Sequence, residues 1–246
     1  MRLADRRVLV TRAPHQASGL AEALRALGAT PILIPTIEIA APTSYAALDA
    51  ALAELARFDV VTFTSANAVE AFRQRAETLK VAADARCVAV VGPATARALE
   101  AMGLRAEIVP PKYTAEALAE TLIRTVLRER PGARVLAVLA EDALATLASA
   151  LGSAGARVTV AEAYRNRIPT GSLGAVAELF SRPAKYPDAI MFTSASTARN
   201  LTSLLEAAQV VLPEEAIRAS IGPITSLAMR ELGLPPHVEA VEATIP

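Results

Sequence analysis

Along the chain, short apolar runs alternate with longer stretches whose apolar positions recur every three or four residues. Val8-Leu9-Val10-Thr11 is the first run. After it Leu20, Ala23, Leu24 and Leu27 share one helical face with Glu22 and Arg25 opposite, which predicts a helix over about residues 16–27. Gly28 supplies the permissive backbone expected past a helix end, and Pro31-Ile32-Leu33-Ile34-Pro35 reads as a second strand. The same order returns later as Val135-Leu136-Ala137-Val138, a helix over about 142–151, Gly155, and Val158-Thr159-Val160.

Two further segments repeat more closely. Phe58-Asp59-Val60-Val61-Thr62-Phe63-Thr64-Ser65-Ala66 returns as Tyr186-Pro187-Asp188-Ala189-Ile190-Met191-Phe192-Thr193-Ser194-Ala195, with Ser65 and Ser194 129 positions apart. Val90-Val91-Gly92-Pro93-Ala94-Thr95 returns as Ser220-Ile221-Gly222-Pro223-Ile224-Thr225, with the glycines 130 apart. Helices are predicted over 66–74 and 196–208 after the first pair, and helices ending at Gly103 and Gly233 after the second. Ile108-Val109-Pro110 and a long helix over 114–129 follow Gly103, whereas 238–245 follows Gly233 with no counterpart of that helix; the expectation is a chain trimmed at this point. Strands this short, alternating with helices, imply α/β layers on parallel sheets. Residues 35–42 and 162–169 mix charge, β-prone residues and Pro, begin 127 positions apart, and read as connectors between two lobes.

Composition supports that division. A chain of 246 residues that is 53% hydrophobic and 20% charged fills two cores, and with 4% aromatics and no Trp these rest on Ala, Leu, Val and Ile. Lys+Arg and Asp+Glu balance at 25 each, so no global field invites nucleic acid. The single cysteine, Cys87, has apolar neighbours and is expected to be a buried thiol, suited to a reducing compartment. No signal-peptide core follows the charged N-terminus, and the longest charge-free stretch, 143–156, is shorter than the ~20 residues a bilayer needs. The expectation is a soluble, cytoplasmic protein with no membrane partner.

Candidate chemistry gathers where strands hand over to helices. Thr11 and Arg12 follow one strand, Thr64, Ser65 and Asn67 another, and Thr193, Ser194 and Ser196 its repeat; Gly92 with Thr95 and Gly222 with Thr225 follow the remaining pair. Helix N-termini present backbone N–H groups to anions. Each such residue, taken alone, reads equally as an ordinary helix cap. Five at strand C-terminal ends read together as ligand sites, since open parallel sheets bind ligands at that edge. There is no GxxxxGK[ST] and no GxGxxG after a strand, and His15, His237 and one cysteine offer no metal cluster; both histidines are expected at the surface. Tyr164, one of four tyrosines, sits in the second connector at the mouth of any cleft. It is either a hydrogen-bond donor to a leaving group or a residue packed on the hinge.

Taken in order, Val8-Leu9-Val10-Thr11-Arg12, Phe63-Thr64-Ser65-Ala66-Asn67-Ala68-Val69, Val91-Gly92-Pro93-Ala94-Thr95-Ala96, Ala163-Tyr164, Phe192-Thr193-Ser194 and Ile221-Gly222-Pro223-Ile224-Thr225 resemble the uroporphyrinogen-III synthase family over essentially the whole chain. The resemblance implies two flavodoxin-like parallel-sheet lobes joined by a two-stranded connector. Residues 1–36 and 168–246 would form one lobe, 41–161 the other, with 37–40 and 162–167 crossing between them. It implies cyclisation of hydroxymethylbilane, a linear tetrapyrrole with eight carboxylates, with inversion of its last ring and loss of water. No cofactor and no metal would take part, and Tyr164 would match the family's connector tyrosine. The protein would be a monomer, with room for a transient contact with the preceding hydroxymethylbilane synthase.

One departure from the family pattern is the acidic turn Glu141-Asp142, a poor place for an anion, which receives no substrate contact. That turn and the absent last helix are what would favour the alternative, a tetrapyrrole- or anion-binding module of the same fold without catalysis. A two-lobed solute-binding protein would instead be expected to carry a signal sequence.

Overall fold

The short apolar runs become strands because helices cover both faces of most of them. The structure is a computed structural model that describes residues 3–141, 143 and 146–242. In chain order the elements are β1 (Arg7–Val10), α1 (Pro14–Ala26), β2 (Thr30–Leu33), β3 (Glu38–Ala40), α2 (Ala46–Ala53), β4 (Val60–Phe63) and α3 (Ala66–Leu79). Then come β5 (Val88–Val90), α4 (Pro93–Glu100), α5 (Ala115–Leu122), β6 (Arg134–Ala140), α6 (Thr146–Ser153) and β7 (Arg157–Arg167). The chain continues with α7 (Ser172–Leu179), β8 (Ala189–Phe192), α8 (Ala195–Ala208), β9 (Ile217–Ser220), α9 (Pro223–Glu231) and β10 (Val238–Glu239).

Two compact units result, Met1–Glu38 with Arg167–Pro246, and Ile39–Asn166. The first holds the sheet β10-β9-β8-β1-β2, parallel throughout. Numbered within the unit this is the flavodoxin order, 2-1-3-4-5. The second holds β3-β7-β6-β4-β5, with Ile108 bridging in parallel to Ala89 of β5. Counted from β6, its strands β7-β6-β4-β5 and that bridge repeat the same order, and β3 adds one strand beyond β7. The sequence repeats therefore exchange halves. The first gives β1 and β2 to one sheet and β4 and β5 to the other, and the second does the reverse.

Each sheet carries a core on either face. In the second unit, Val61, Phe63, Leu136 and Val138 pack with Leu48, Phe72 and Leu99 from α2, α3 and α4. On the opposite face Val60, Ala89 and Val135 meet Leu118 and Leu122 of α5 and Leu147 and Leu151 of α6. In the first unit, Leu9, Ile190 and Phe192 pack with Val176, Leu201 and Met229 from α7, α8 and α9. Among the described residues, α1 alone covers the opposite face there, through Ala17, Leu20 and Leu24 against Val8 and Val10. Beside α1 runs an apolar groove of about 1260 Å³, lined by Leu20, Leu24, Met191, Ile217, Ala219 and Val238 among others.

Several elements differ from the sequence expectation. The helix predicted over 66–74 runs to Leu79, because Glu70, Arg73 and Glu77 pair along its surface and Arg75 bridges to Asp49. The helix predicted over 114–129 starts at Ala115, with Thr114 as its N-cap accepting from Ala117, and passes into a π-helical stretch, Ile123–Leu127. The connectors are strands, as expected: residues 162–167 continue β7, an 11-residue strand, and 38–40 form β3 beside it. The helix predicted from 142 is described from Thr146; Asp142, like the end of the 238–245 run from 243 onward, lies outside the described residues. Cys87 is half-buried rather than buried, and burial and then Glu107 push its thiol pKa up. His237 is exposed, and its ring accepts the Arg218 backbone N–H at 3.0 Å; the side chain of His15 lies outside the described set.

Candidate functional site

In the first unit, parallel strands bring Thr11, Thr193 and Gly222 to one edge of the sheet. The strands β1 and β8 are neighbours whose chains leave in opposite directions across the sheet, the switch point where such folds bind ligands. Thr11 is fully buried there and its hydroxyl donates to the Met191 carbonyl at 3.0 Å, so it joins β1 to β8 rather than facing solvent. Arg12, half-buried, donates from Nε to Gln16 at 3.2 Å, and burial lowers its pKa from the usual guanidinium value. Ser194 caps α8 in a reciprocal box: its Oγ accepts from the Thr197 N–H at 3.1 Å, and the Thr197 hydroxyl oxygen accepts from the Ser194 N–H at 3.2 Å. Thr193 and Ser196 flank it, half-buried. Gly222 caps α9 ahead of Pro223, with Thr225 buried in the first turn.

The second unit repeats this edge with different side chains. Gly92 caps α4 ahead of Pro93, and Thr95 is buried in the first turn. A Cβ on Gly92 would lie 3.1 Å from the Tyr113 ring, so the absence of a side chain is what lets that tyrosine close on the turn. Thr64, Ser65 and Asn67 are half-buried at the start of α3. Ser65 Oγ accepts from the Ala68 N–H at 3.0 Å, leaving the amides of Ala66 and Asn67 without a partner inside the helix.

Tyr164 lies in the connector half of β7. It is 7% exposed, belongs to the core of the second unit, and its hydroxyl lies 3.0 Å from Ser65 Oγ. A register shift in β6 between Leu139 and Ala140 pairs Ala140 with Tyr164, and the Glu141 N–H donates to the Tyr164 carbonyl at 2.7 Å. The Ser65 turn and the connector tyrosine thus meet in the second unit.

Three features escaped the sequence reading. Thr36, fully buried, donates its hydroxyl to the Thr11 carbonyl at 3.1 Å, and Asn200 donates to the Thr36 carbonyl at 2.8 Å, forming a polar knot at the strand ends of the first unit. Neither position lies in a repeated motif, so no sequence signal marks them. Glu141 holds the Thr43 N–H at 2.8 Å and the Thr43 hydroxyl, and these two bonds keep its carboxyl below the usual range. Glu141 is therefore a clamp on the segment after β3. Arg165, next to Tyr164, keeps its Nε buried without a hydrogen-bond partner among the described residues.

The fold and this edge define a duplicated α/β protein with flavodoxin-order units and capped turns at its strand ends. The family model described as Uroporphyrinogen-III synthase HemD matches residues 18–246. The uroporphyrinogen-III synthase of Synechococcus elongatus is 39% identical over 99% of this chain and 92% of its own length. Among solved structures, a mutant uroporphyrinogen III synthase from the extreme thermophile Thermus thermophilus superposes with a TM-score of 0.66 at 22% identity, covering 95% of this chain and 91% of that one. The Helicobacter pylori uroporphyrinogen-III synthetase gives 0.60 at 18% identity, covering 100% and 95%; both show the shared fold. The chain belongs to the uroporphyrinogen-III synthase family, lyases of porphyrin and haem biosynthesis acting on a small-molecule substrate. Among the described residues, no helix is long and apolar enough to cross a membrane.

Proposed function

We propose that the strand-end turns hold the carboxylates of hydroxymethylbilane while Tyr164 assists departure of its terminal hydroxyl. The observation that carries this reading is the Ser65–Tyr164 contact, which fixes a phenol at the same strand end as the amides of α3. Thr64, Asn67, Gly92 and Thr95 of one unit, and Arg12, Thr193, Ser194, Ser196, Gly222 and Thr225 of the other, head the turns that would take the carboxylates. For Thr11 the contribution is through the backbone, its hydroxyl being bonded to Met191.

In the reaction the C–O bond breaks, the electron pair leaves with oxygen, and the hydroxyl takes up one proton to depart as water. The pyrrole ring loses its N–H proton as the azafulvene forms, which balances the elimination. The electron-rich ring supplies most of the driving force, so the protein's tasks are donation and held geometry. A phenol in water has a pKa of ~10, so the group chosen as donor carries its proton at neutral pH as a chemical type. Held geometry decides between closure with inversion, giving the type III isomer, and spontaneous closure giving type I. No cofactor enters this scheme. The protein would work in the cytoplasm as a monomer, receiving substrate in transient contact with hydroxymethylbilane synthase.

The test generates hydroxymethylbilane in situ and separates the oxidised type I and type III products by chromatography. Type III rising with enzyme concentration is the expected result; type I alone, at the spontaneous rate, would reduce the chain to a binding module. Tyr164→Phe should lower kcat about 10-fold with the fold intact, through loss of one positioned donor. Unchanged turnover in that variant would remove Tyr164 from the mechanism.

A further inference from the structure

Gly92 has no conformational need to be glycine, since its φ of −176° is extended backbone open to any residue. What it supplies is space. A Cβ there would lie 3.1 Å from both Cβ and Cγ of Tyr113 and 3.3 Å from Cδ1, tighter than most Cβ atoms ever pack. The glycine therefore lets the tyrosine lie directly on the turn that starts α4. Gly92 is buried in consequence, while Tyr113 itself stays 63% exposed.

An aromatic ring left in solvent forgoes a large burial gain, and this chain has few rings to spare. The five phenylalanines and Tyr164 are buried, and Tyr45 and Tyr186 are half-buried. Tyr45 lies under the Arg75 guanidinium at 4.4 Å, and Tyr186 packs on Phe180 with ring centres 6.0 Å apart. Among the described residues Tyr113 is the one exposed ring, and it has neither kind of neighbour.

Its backbone is held on both sides. Pro110 and Pro111 precede it, and Thr114 just after it caps α5 by accepting from the Ala117 N–H at 3.2 Å. The Thr114 N–H donates in turn to the Lys112 carbonyl at 3.0 Å. Proline fixes φ and the cap fixes the helix start, so a ligand settling on the ring orders little that was free. The other repeat has no ring at this place: 130 positions on from Tyr113, the spacing of the two Gly-Pro turns, stands Ala243.

We propose that Tyr113 is a stacking platform for one pyrrole ring of the substrate, beside the turn headed by Gly92. This deepens the substrate reading above and rests on it. A pyrrole ring is flat and electron-rich, and its carboxylate arms leave from the edge. A phenol face next to helix N–H groups meets both parts at once. The ring is there before and after closure, so the contact adds to binding more than to rate.

The test measures kcat and KM for hydroxymethylbilane in the type III assay. The variants are Tyr113→Phe, Tyr113→Leu, Tyr113→Ala and, as a control, Val211→Ala, which removes another exposed apolar side chain in the loop before β9. All four change exposed side chains and should keep Tm within about 2 °C. Tyr113→Ala should raise KM about 10-fold with kcat within about 2-fold of the parent. Tyr113→Phe keeps the face without the hydroxyl and should stay within about 2-fold in both. Tyr113→Leu is apolar but not flat, and its KM should fall between, about 3- to 5-fold up. Val211→Ala should match the parent. A Phe variant as weak as the Ala variant, or a loss confined to kcat, would overturn the platform. An unchanged KM in Tyr113→Ala, with type III still formed, would remove this inference alone, whereas a parent yielding only type I would remove the substrate reading beneath it.

Discussion

Asp59 and Asp188, 129 positions apart in the repeat, do the same work in each sheet. Asp188 accepts from the Arg7 backbone N–H at 2.7 Å and from Arg6 at 2.8 Å; Asp59 accepts from the Arg134 N–H at 2.9 Å and from Arg130. Each carboxylate pins the first residue of the neighbouring strand, β1 or β6, and the backbone bond is the main reason its pKa falls below the usual 3.8. A depressed carboxylate stabilises the fold above its unfolded pKa, and the contribution is lost as pH falls through the folded value. Asp59→Ala and Asp188→Ala should each cost about 1–3 kcal/mol at pH 7, with the deficit shrinking below about pH 4. Urea denaturation at pH 7 and pH 3.5 checks this, and a deficit equal at both would separate the loss from the charge. The sequence showed these aspartates only as part of an echo. It could not show their bonds, because the partner strands enter each sheet from distant parts of the chain. The same limit hid the Ser65–Tyr164 contact, between residues 99 positions apart whose adjacency depends on the register of β7.

At the scale of elements, α3 and α8 end alike, with Lys80 and Gln209 at the C-cap in the left-handed region, φ 56° and 54°. Both side chains are exposed, and neither is a residue type at ease there. Lys80→Gly and Gln209→Gly should each stabilise the protein by about 0.5–1 kcal/mol in chemical denaturation. A loss of stability would mean that these side chains hold their helix ends in another way. Helix starts were legible because Ser65, Ser194 and Thr114 are cap residues ahead of periodic apolar positions. Strand ends were less so. In residues 162–167 charge and Asn interrupt the apolar run, so periodicity alone does not show that β7 lies between β3 and β6 with strand neighbours on both sides. Position within the sheet, and not composition, decides where that strand stops.

For the molecule as a whole, the echoes gave both the α/β class and the duplication, and β4–α3 and β8–α8 lie where the repeated segments placed them. The exchange of halves was beyond the periodicity, since hydrophobic spacing marks a strand without naming its sheet. The two sheets share an order but not a covering. In one, α5 and α6 lie over Val60, Ala89 and Val135; in the other, among the described residues, α1 alone lies over that face, beside the groove lined by Met191, Ile217 and Ala219. Fewer apolar contacts lower the free energy of local opening. Amide hydrogen exchange in β8, β9 and β10 should therefore run at least about 10-fold faster than in β4, β5 and β6 under native conditions. Equal protection would mean that the remaining helices secure this sheet unaided. With β8, β9 and β10 exchanging faster, the slowest-exchanging amides, and with them the last structure to survive on warming, lie in β4 and β6, so the strand that leads to Ser65 outlasts its twin that leads to Ser194.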